Sequence, residues 1–525
     1  MVAPSQPDKP RTLVLCFDGT ANEYDEDNTN VVKLFSLLKK DDFTEQLCFY
    51  QPGVGTWFNP GVVSPLFQWC AKALDYAFAW YLDEHVMDGY KFVMQNYRVG
   101  DKICIFGFSR GAYTARALGG LLYKVGLLPK DNEAQIPFAY KLYKREDEPG
   151  LELCAGFKQT YCQDVKVEFM GVWDTVASVG VVMSRTLPFT NSNSSIKTFR
   201  HALSLDEHRT KFRPNSYHRS APNAAGAAKD PEHATPVMER AAPPLAVTGN
   251  GKAKETTNGK DSKTTTSIST TSSSSSPSSS DSDDKKKLNE KLKAKKEKKG
   301  KPKGRGVGFG FLRPTKKSFT PDLVESGVPD DVLEVWFTGC HSDVGGGAVT
   351  NDTASNLANI TLRWMVREIM LSGCEIQFDD AALARVGIER IPCDPARASG
   401  AASSNHLSVP LNTSTTGGAT TSGLPADSHP TENDKALDAV DVLQPIHDSL
   451  KSDFLWWILE ILPLSYSWQD AQGVWHKDWS PNFGRGRTIQ DPNPNFHISV
   501  KERIESNLKY APRAKWAKGT EVYVQ

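Results

Sequence analysis

The stretch Gly107-Phe-Ser-Arg-Gly111 places a serine between two glycines, each two residues away. That spacing suits a sharp strand-to-helix turn, because the backbones pass closely only where side chains are missing. Such a pentapeptide arises by chance at roughly 0.2 per chain of this length, so its setting matters. Ile103, Ile105 and Phe106 form an apolar strand before it, and Leu118, Leu121, Leu122 and Val125 recur at helical spacing after it. A serine hydroxyl exposed on such a turn is a nucleophile once a histidine accepts its proton and a carboxylate orients that histidine.

The chain offers both partners. Asp174, in Trp173-Asp-Thr-Val176, directly follows the apolar run Val165 to Val172. His341, in Cys340-His-Ser-Asp-Val-Gly-Gly-Gly347, follows the apolar run Leu333 to Thr338. Ligand and catalytic groups of open parallel sheets gather at such carboxyl ends of strands. His497, flanked by Phe496 and Ile498, is the alternative base, while His201 and His208 follow no clear strand. Asp343 is a rival acid; two residues from His341, it is better suited to supporting the glycine-rich loop or an arginine such as Arg110. His341 and Asp343 lack further ligands at metal-binding spacing, so neither a metal site nor another cofactor is expected.

An oxyanion produced at Ser109 needs backbone donors. The N–H of Arg110, next to the nucleophile, is one candidate. The others are Gly19 and Thr20 in the Asp18-Gly19-Thr20 loop that ends the apolar run Thr12 to Phe17, with Asp18 as a supporting residue. An Asp-Gly-Thr loop after a first strand is similar to that of the haloacid dehalogenase phosphatases. Their nucleophilic aspartate would fall on Cys16, which excludes that chemistry.

Continuous apolar runs of β-favouring residues belong to strands buried on both faces of a parallel sheet. The pattern predicts strands at Thr12 to Phe17, Gln46 to Gln51, the run into Ser109, Val165 to Val172 and Leu333 to Thr338. Helices are expected over Asn28 to Leu38, Leu66 to Tyr97 and Ser355 to Leu371. Lys130 to Gly150 and Leu187 to Arg200 read as polar and loop-like, and His201 to Pro214 as a short ordered element. The fold class is α/β, with a mostly parallel central sheet flanked by helices. It is assigned to 11–214 and 330–525, interrupted by a low-complexity insertion at 215–329 and a second mobile loop at 397–433.

Lys plus Arg and Asp plus Glu both number 62. A zero net charge supplies no global field for nucleic acid, which is excluded as a general partner. Nine scattered cysteines without Cys-x-x-Cys spacing suggest reduced, mostly buried thiols. Met1 to Arg11 is polar, and no apolar run reaches the ~20 residues of a spanning helix. A cytoplasmic location is therefore expected. Thr264 to Asp284 is almost wholly Ser, Thr and Asp, and Lys285 to Arg305 is basic without an apolar face. Such segments bury too little surface to offset their ordering entropy and are expected to be disordered. Phe454 to Leu464, Phe-Leu-Trp-Trp-Ile-Leu-Glu-Ile-Leu-Pro-Leu, is the most hydrophobic stretch. It either roofs the core or makes a peripheral membrane contact.

Five motifs together carry a family resemblance: Phe17-Asp-Gly-Thr20, Gly107-Phe-Ser-Arg-Gly-Ala-Tyr-Thr-Ala-Arg116, Val172-Trp-Asp-Thr-Val176, His201-Ala-Leu-Ser-Leu-Asp-Glu207 and His341-Ser-Asp-Val-Gly-Gly-Gly347. In kind and order they resemble the catalytic domain of the type VI secretion phospholipase effectors, whose family includes fungal proteins of unassigned function. The resemblance implies an α/β-hydrolase fold and a catalytic set falling on Ser109, Asp174 and His341. It also implies ester hydrolysis, of phospholipids in the bacterial effectors. The expected function is thus a serine esterase or lipase acting on an ester or lipid substrate. The alternative is an inactive hydrolase fold that binds partners through its insertion. Nothing in the sequence determines the oligomeric state.

Overall fold

The computed structural model describes residues 9–20, 22–53, 67–176, 187–188, 190, 193–217, 331–391, 431–470 and 474–525, with the side chains of 67–81 and 475 excepted. Most of the 215–329 insertion and of the 397–433 loop lies outside the described residues. At their margins, Asn215 to Tyr217 hold defined hydrogen bonds, and Thr431 caps a helix.

The central sheet is built from β1 (Thr12–Phe17), β2 (Gln46–Gln51), β3 (Lys102–Phe108), β4 (Val167–Trp173), β5 (Ile196–Ser204) and β6 (Asp331–Phe337). An antiparallel hairpin follows, β7 (Leu464–Gln469) with β8 (Trp475–Ser480). Two short strands, β9 (Asn495–His497) and β10 (Val522–Val524), complete the sheet. Its eight strands run in the order β10-β9-β6-β5-β4-β3-β1-β2, and all their pairings are parallel.

The sequence pattern of β1 has a direct packing cause. Leu13, Leu15 and Phe17 enter one core while Val14 and Cys16 enter the other, so from Leu13 to Phe17 no position is left for a polar side chain. In β3, Ile103 and Ile105 alternate with Cys104 and Phe106 in the same way. The chain passes from β1 outward to β2 and returns on the other side of β1 as β3. The crevice between the ends of β1 and β3 is therefore a topological switch point, where ligands bind in open α/β sheets.

The helices that matter below are α1 (Asn30–Leu37), α2 (Phe67–Asn96), α3 (Ser109–Val125), α4 (Ile136–Tyr143), α5 (Glu148–Tyr161), α6 (His341–Gly345), α7 (Leu357–Ser372), α8 (Glu432–Asp441), α9 (Trp456–Glu460) and α10 (Ile498–Glu505). Tyr90, Leu118, Leu121, Tyr140 and Phe157 bring α2 to α5 into one core; Val31, Leu34, Trp364 and Met365 bring α1 and α7 into the other. A third cluster, including Leu203, Trp336, Phe496 and Val500, joins the C-terminal part to β5 and β6.

Two expectations need correction. The segment read as loop before Arg200 enters β5, in which the buried Arg200 hides the apolar pattern. Its guanidinium is neutralised by Glu368 and by Asp331, 3.0 Å away. The stretch 130–150 holds α4, whose inward face of Ile136, Ala139, Tyr140 and Tyr143 is short and flanked by charged residues. No helix among the described residues is long and apolar enough to cross a membrane.

Candidate active site

At the end of β3 the chain turns at Ser109, whose φ of 58° is unusual for a residue with a side chain. Strain of this kind costs on the order of 1–3 kcal/mol and persists only where packing over-determines it. The glycines supply that packing. A Cβ at Gly107 would sit 2.5 Å from the Gly111 carbonyl oxygen, and one at Gly111 would sit 2.3 Å from the carbonyl oxygens of both Phe17 and Asp18. The first turn of α3 is thus pressed against the end of β1.

Asp174 follows β4, also at positive φ, 38°. Because Phe108 pairs with Trp173, Ser109 and Asp174 leave neighbouring strands at the same level of the sheet. His341 begins α6 after β6, on the same edge. Its Nδ1 lies 2.5 Å from Asp174 Oδ2, and its ring packs against Phe108, the residue before Ser109, with centroids 4.6 Å apart. His341 Nε2 is buried and has no hydrogen-bond partner among the described residues.

Burial alone would raise the pKa of Asp174. The Arg487 guanidinium and the His341 imidazole outweigh it and hold the carboxyl far below its ordinary range. For His341 burial wins, lowering the pKa although Asp174 pulls the other way. A neutral imidazole therefore faces an anionic carboxylate. Nδ1–H donates to Asp174, leaving Nε2 with a lone pair to accept a proton.

Three residues around this pair were not singled out from the sequence. Arg487 donates through Nη1 to Asp174 Oδ1 at 2.6 Å and through Nη2 to Oδ2 at 2.9 Å. Phe212 packs edge-on against the His341 ring at 4.7 Å. Glu207 accepts from the His341 backbone N–H at 3.3 Å and from the Arg209 side chain at 2.8 Å. Glu207 closes one of the recognised motifs, which was a usable signal. Arg487 and Phe212 stand in sequence contexts with no motif.

The other named residues have identifiable places. Asp343 accepts from the Cys340 N–H at 2.9 Å, capping α6, and from His447 Nδ1 at 2.7 Å, so it supports the glycine-rich loop. His497 caps α10 through Ser499 and stacks on Phe337 at 4.8 Å; burial drives its pKa down to about 3. His201 accepts from the Thr175 N–H at 3.0 Å and bonds Glu334 at 2.8 Å, fixing the backbone beside Asp174. His208 is held between Asp448 and the Gly484 carbonyl.

Asp18 accepts from Thr29 Oγ1 and Tyr50 Oη at 2.7 and 2.8 Å. Burial nevertheless pushes its pKa up to about 6. The Gly19 N–H also donates to Asp18, at 2.7 Å, so this amide is already engaged. Thr20 Oγ1 is buried without a partner among the described residues. Beside Ser109, burial and Arg209 lower the Arg110 pKa to about 10. No group of three or more His, Cys, Asp or Glu side chains suited to a metal occurs among the described residues.

A parallel sheet flanked by helices, with a strained serine at the end of a central strand, defines an α/β-hydrolase-like protein. Residues 11–368 match the family model described as T6SS, Phospholipase effector Tle1-like, catalytic domain; the chain belongs to this family. It is thereby a member of a phospholipase-type hydrolase family. It is 29% identical over 571 residues to Uncharacterized protein YEL023C of Saccharomyces cerevisiae, covering 96% of this chain and 80% of that protein.

Among solved structures, an uncharacterized protein from Pseudomonas aeruginosa is similar over 73% of this chain and 49% of its own, at 17% identity and a TM-score of 0.33. The Tle1 effector bound to the VgrG spike of the Type 6 secretion system is similar over 40% of this chain and 48% of its own, at 19% identity and a TM-score of 0.22. The chain spans about half the length of these solved structures.

Proposed function

We propose that the protein is a serine hydrolase that cleaves a carboxylic ester of a lipid through an acyl-enzyme on Ser109. The observation that carries this reading is the neutral, buried His341, held by Asp174 at 2.5 Å with Nε2 unpartnered, on the sheet edge that bears the strained serine. As Ser109 Oγ attacks the ester carbonyl, His341 Nε2 takes its proton and Asp174 stabilises the imidazolium. Collapse of the tetrahedral intermediate expels the alcohol, which receives that proton. Water, activated by the same nitrogen, then attacks the acyl-serine and releases the carboxylic acid. The Arg110 and Thr20 amides are the proposed oxyanion donors, since the Gly19 amide is held by Asp18.

A lipid substrate is supported by the family and by an apolar surface adjoining the site. Phe212, in contact with His341, also packs on Trp456 at 5.4 Å. On α9 and its flanks Phe454 and Leu455 are 78% and 65% exposed, and Ile458, Ile461 and Leu462 are exposed too. This is the stretch proposed to touch a membrane peripherally. A fluorophosphonate probe is expected to label the wild type and neither Ser109→Ala nor, at a comparable rate, His341→Ala. An ester and phospholipid panel then reads the substrate class. Equal labelling of wild type and Ser109→Ala would refute the proposal.

A further inference from the structure

Arg487 lies beyond the residues matched by the family model, 11–368. It belongs to a C-terminal strap tied down by backbone bonds: Lys515 N–H to the Arg487 carbonyl at 2.8 Å, Ile489 N–H to the Lys515 carbonyl at 2.8 Å, and Ala514 N–H to Leu205 at 2.9 Å. The last of these anchors the strap just past the end of β5.

The guanidinium so delivered is buried and engages three components of the site. It takes both oxygens of Asp174, with Nη1 on Oδ1 and Nη2 on Oδ2. Nη1 also donates to the Ser204 carbonyl at 3.0 Å and to Ser204 Oγ at 2.8 Å. Nη2 also donates to the carbonyl of Phe212, whose ring walls His341. Ser204 in turn donates its N–H to Asp174 Oδ1 at 3.0 Å. A planar, two-pronged donor fixes the rotation of a carboxylate as a point charge does not. With Asp174 locked this way, one direction is left for the Oδ2 lone pair that meets His341 Nδ1–H.

We infer that Arg487 is a positioning residue for Asp174 and His341, so that the C-terminal strap completes a site whose other members lie within the family-matched region. The inference rests on the hydrolase reading of Ser109, Asp174 and His341. Arg487 and His341 share Asp174 Oδ2, so the guanidinium competes with an imidazolium for the same carboxylate, beside Glu207 and Arg209. Removing the two-pronged contact frees the carboxylate to rotate, and misplacement of about 1 Å at such a site can cost on the order of 100-fold in rate.

The test compares full-length wild type with Arg487→Met, Arg487→Lys and Arg487→Ala in two readouts. The first is acylation by a fluorophosphonate and turnover of an ester found to be a substrate. The second is the His341 imidazole titration by NMR, assigned against His341→Gln. Arg487→Met is expected to lose about 100-fold in kcat with KM changed less than about threefold. Its His341 titration should move to higher pH, because Asp174 loses its competing cation. Guanidinium should restore part of the rate to Arg487→Ala, and methylammonium should not. A cavity of about 300 Å³, lined by Arg487, Arg213, Asn215, Tyr217 and Trp468, offers the ion a way in.

A folded Arg487→Met with a rate within about twofold of wild type and an unmoved His341 titration overturns the inference. If that variant fails to fold, Arg487→Lys decides, because it keeps the charge and loses the fork: wild-type rate overturns the inference, and a reduced kcat supports it. A wild type inert to the probe and to every ester refutes the hydrolase reading instead. The His341 titration then still decides whether Arg487 governs this pair.

Discussion

At the residue scale, the balance between burial and partners sets each titratable group apart. Asp174 has two cationic or hydrogen-bonding partners strong enough to overcome burial, and it stays ionised. At His341 burial prevails over the opposing pull of Asp174 and Glu207, with Arg209 adding to it. His497 has no acid partner of that kind; burial comes first and Arg367 and Arg363 add to it, giving a pKa of about 3 against 6.5 in an exposed histidine. Below pH 6.5 the unfolded chain therefore binds a proton at this position that the folded chain refuses. Stability from this residue is intact above about pH 6.5 and falls as the pH drops toward 3, by about 1.4 kcal/mol per pH unit. His497→Asn keeps a helix-capping side chain and removes the titration. Its urea-unfolding free energy should decline less steeply between pH 6.5 and 4.5 than that of wild type. Parallel slopes would show that His497 is not the group responsible.

At the element scale, the site depends on how closely α3, β1 and β3 approach. The Gly111 contacts are with backbone carbonyls, which cannot rotate away as a side chain would. Gly111→Ala should cost about 3 kcal/mol, the upper part of the usual overpacking range, and lower acylation of Ser109. Gly156, within α5, is a control: an added Cβ there meets nothing within 4 Å. Gly156→Ala should be neutral or stabilising by up to about 1 kcal/mol. Chemical denaturation of the two variants checks the contrast; a Gly111→Ala protein as stable as wild type would contradict the packing argument. The same closeness explains why the elbow is legible in sequence, since the requirement for missing side chains is local and recurs at fixed spacing.

At the scale of the whole molecule, the chain returns to one edge of the sheet from widely separated places. The described residues that flank 218–330 lie near one another away from that edge: the Tyr217 N–H donates to Glu334 Oε1 at 2.9 Å, and Glu334 lies in β6 only three residues beyond Asp331. Three residues of strand span about 10 Å, well within reach of a ten-residue linker. Replacing 218–330 by such a Gly/Ser linker should leave the protein folded, with Ser109 acylation within about threefold of wild type. Loss of folding or labelling would show that the segment contributes to the hydrolase unit itself. A binding role for that segment would emerge from the same variant as a lost partner with acylation retained.

The amino-acid sequence by itself determined the parts whose physics is local. Strands buried on both faces are apolar at nearly every position, so β1, β3, β4 and the end of β6 stand out. The elbow needs its glycines at fixed offsets from Ser109, and Asp174 and His341 each follow a strand directly. Where buried charge interrupts the pattern, as Arg200 does in β5, periodicity fails, because the neutralising Glu368 and Asp331 lie 168 and 131 residues away. Arg487 is the extreme case. It stands 313 residues from Asp174, in a segment with no motif, and reaches the carboxylate only because the C-terminal strap is bonded across the end of β5. Its contribution is a direction in space and a charge brought out of water, and neither is encoded by neighbours along the chain. Tertiary structure put Asp174, already legible as the candidate acid, against His341, and it alone decided what holds that carboxylate.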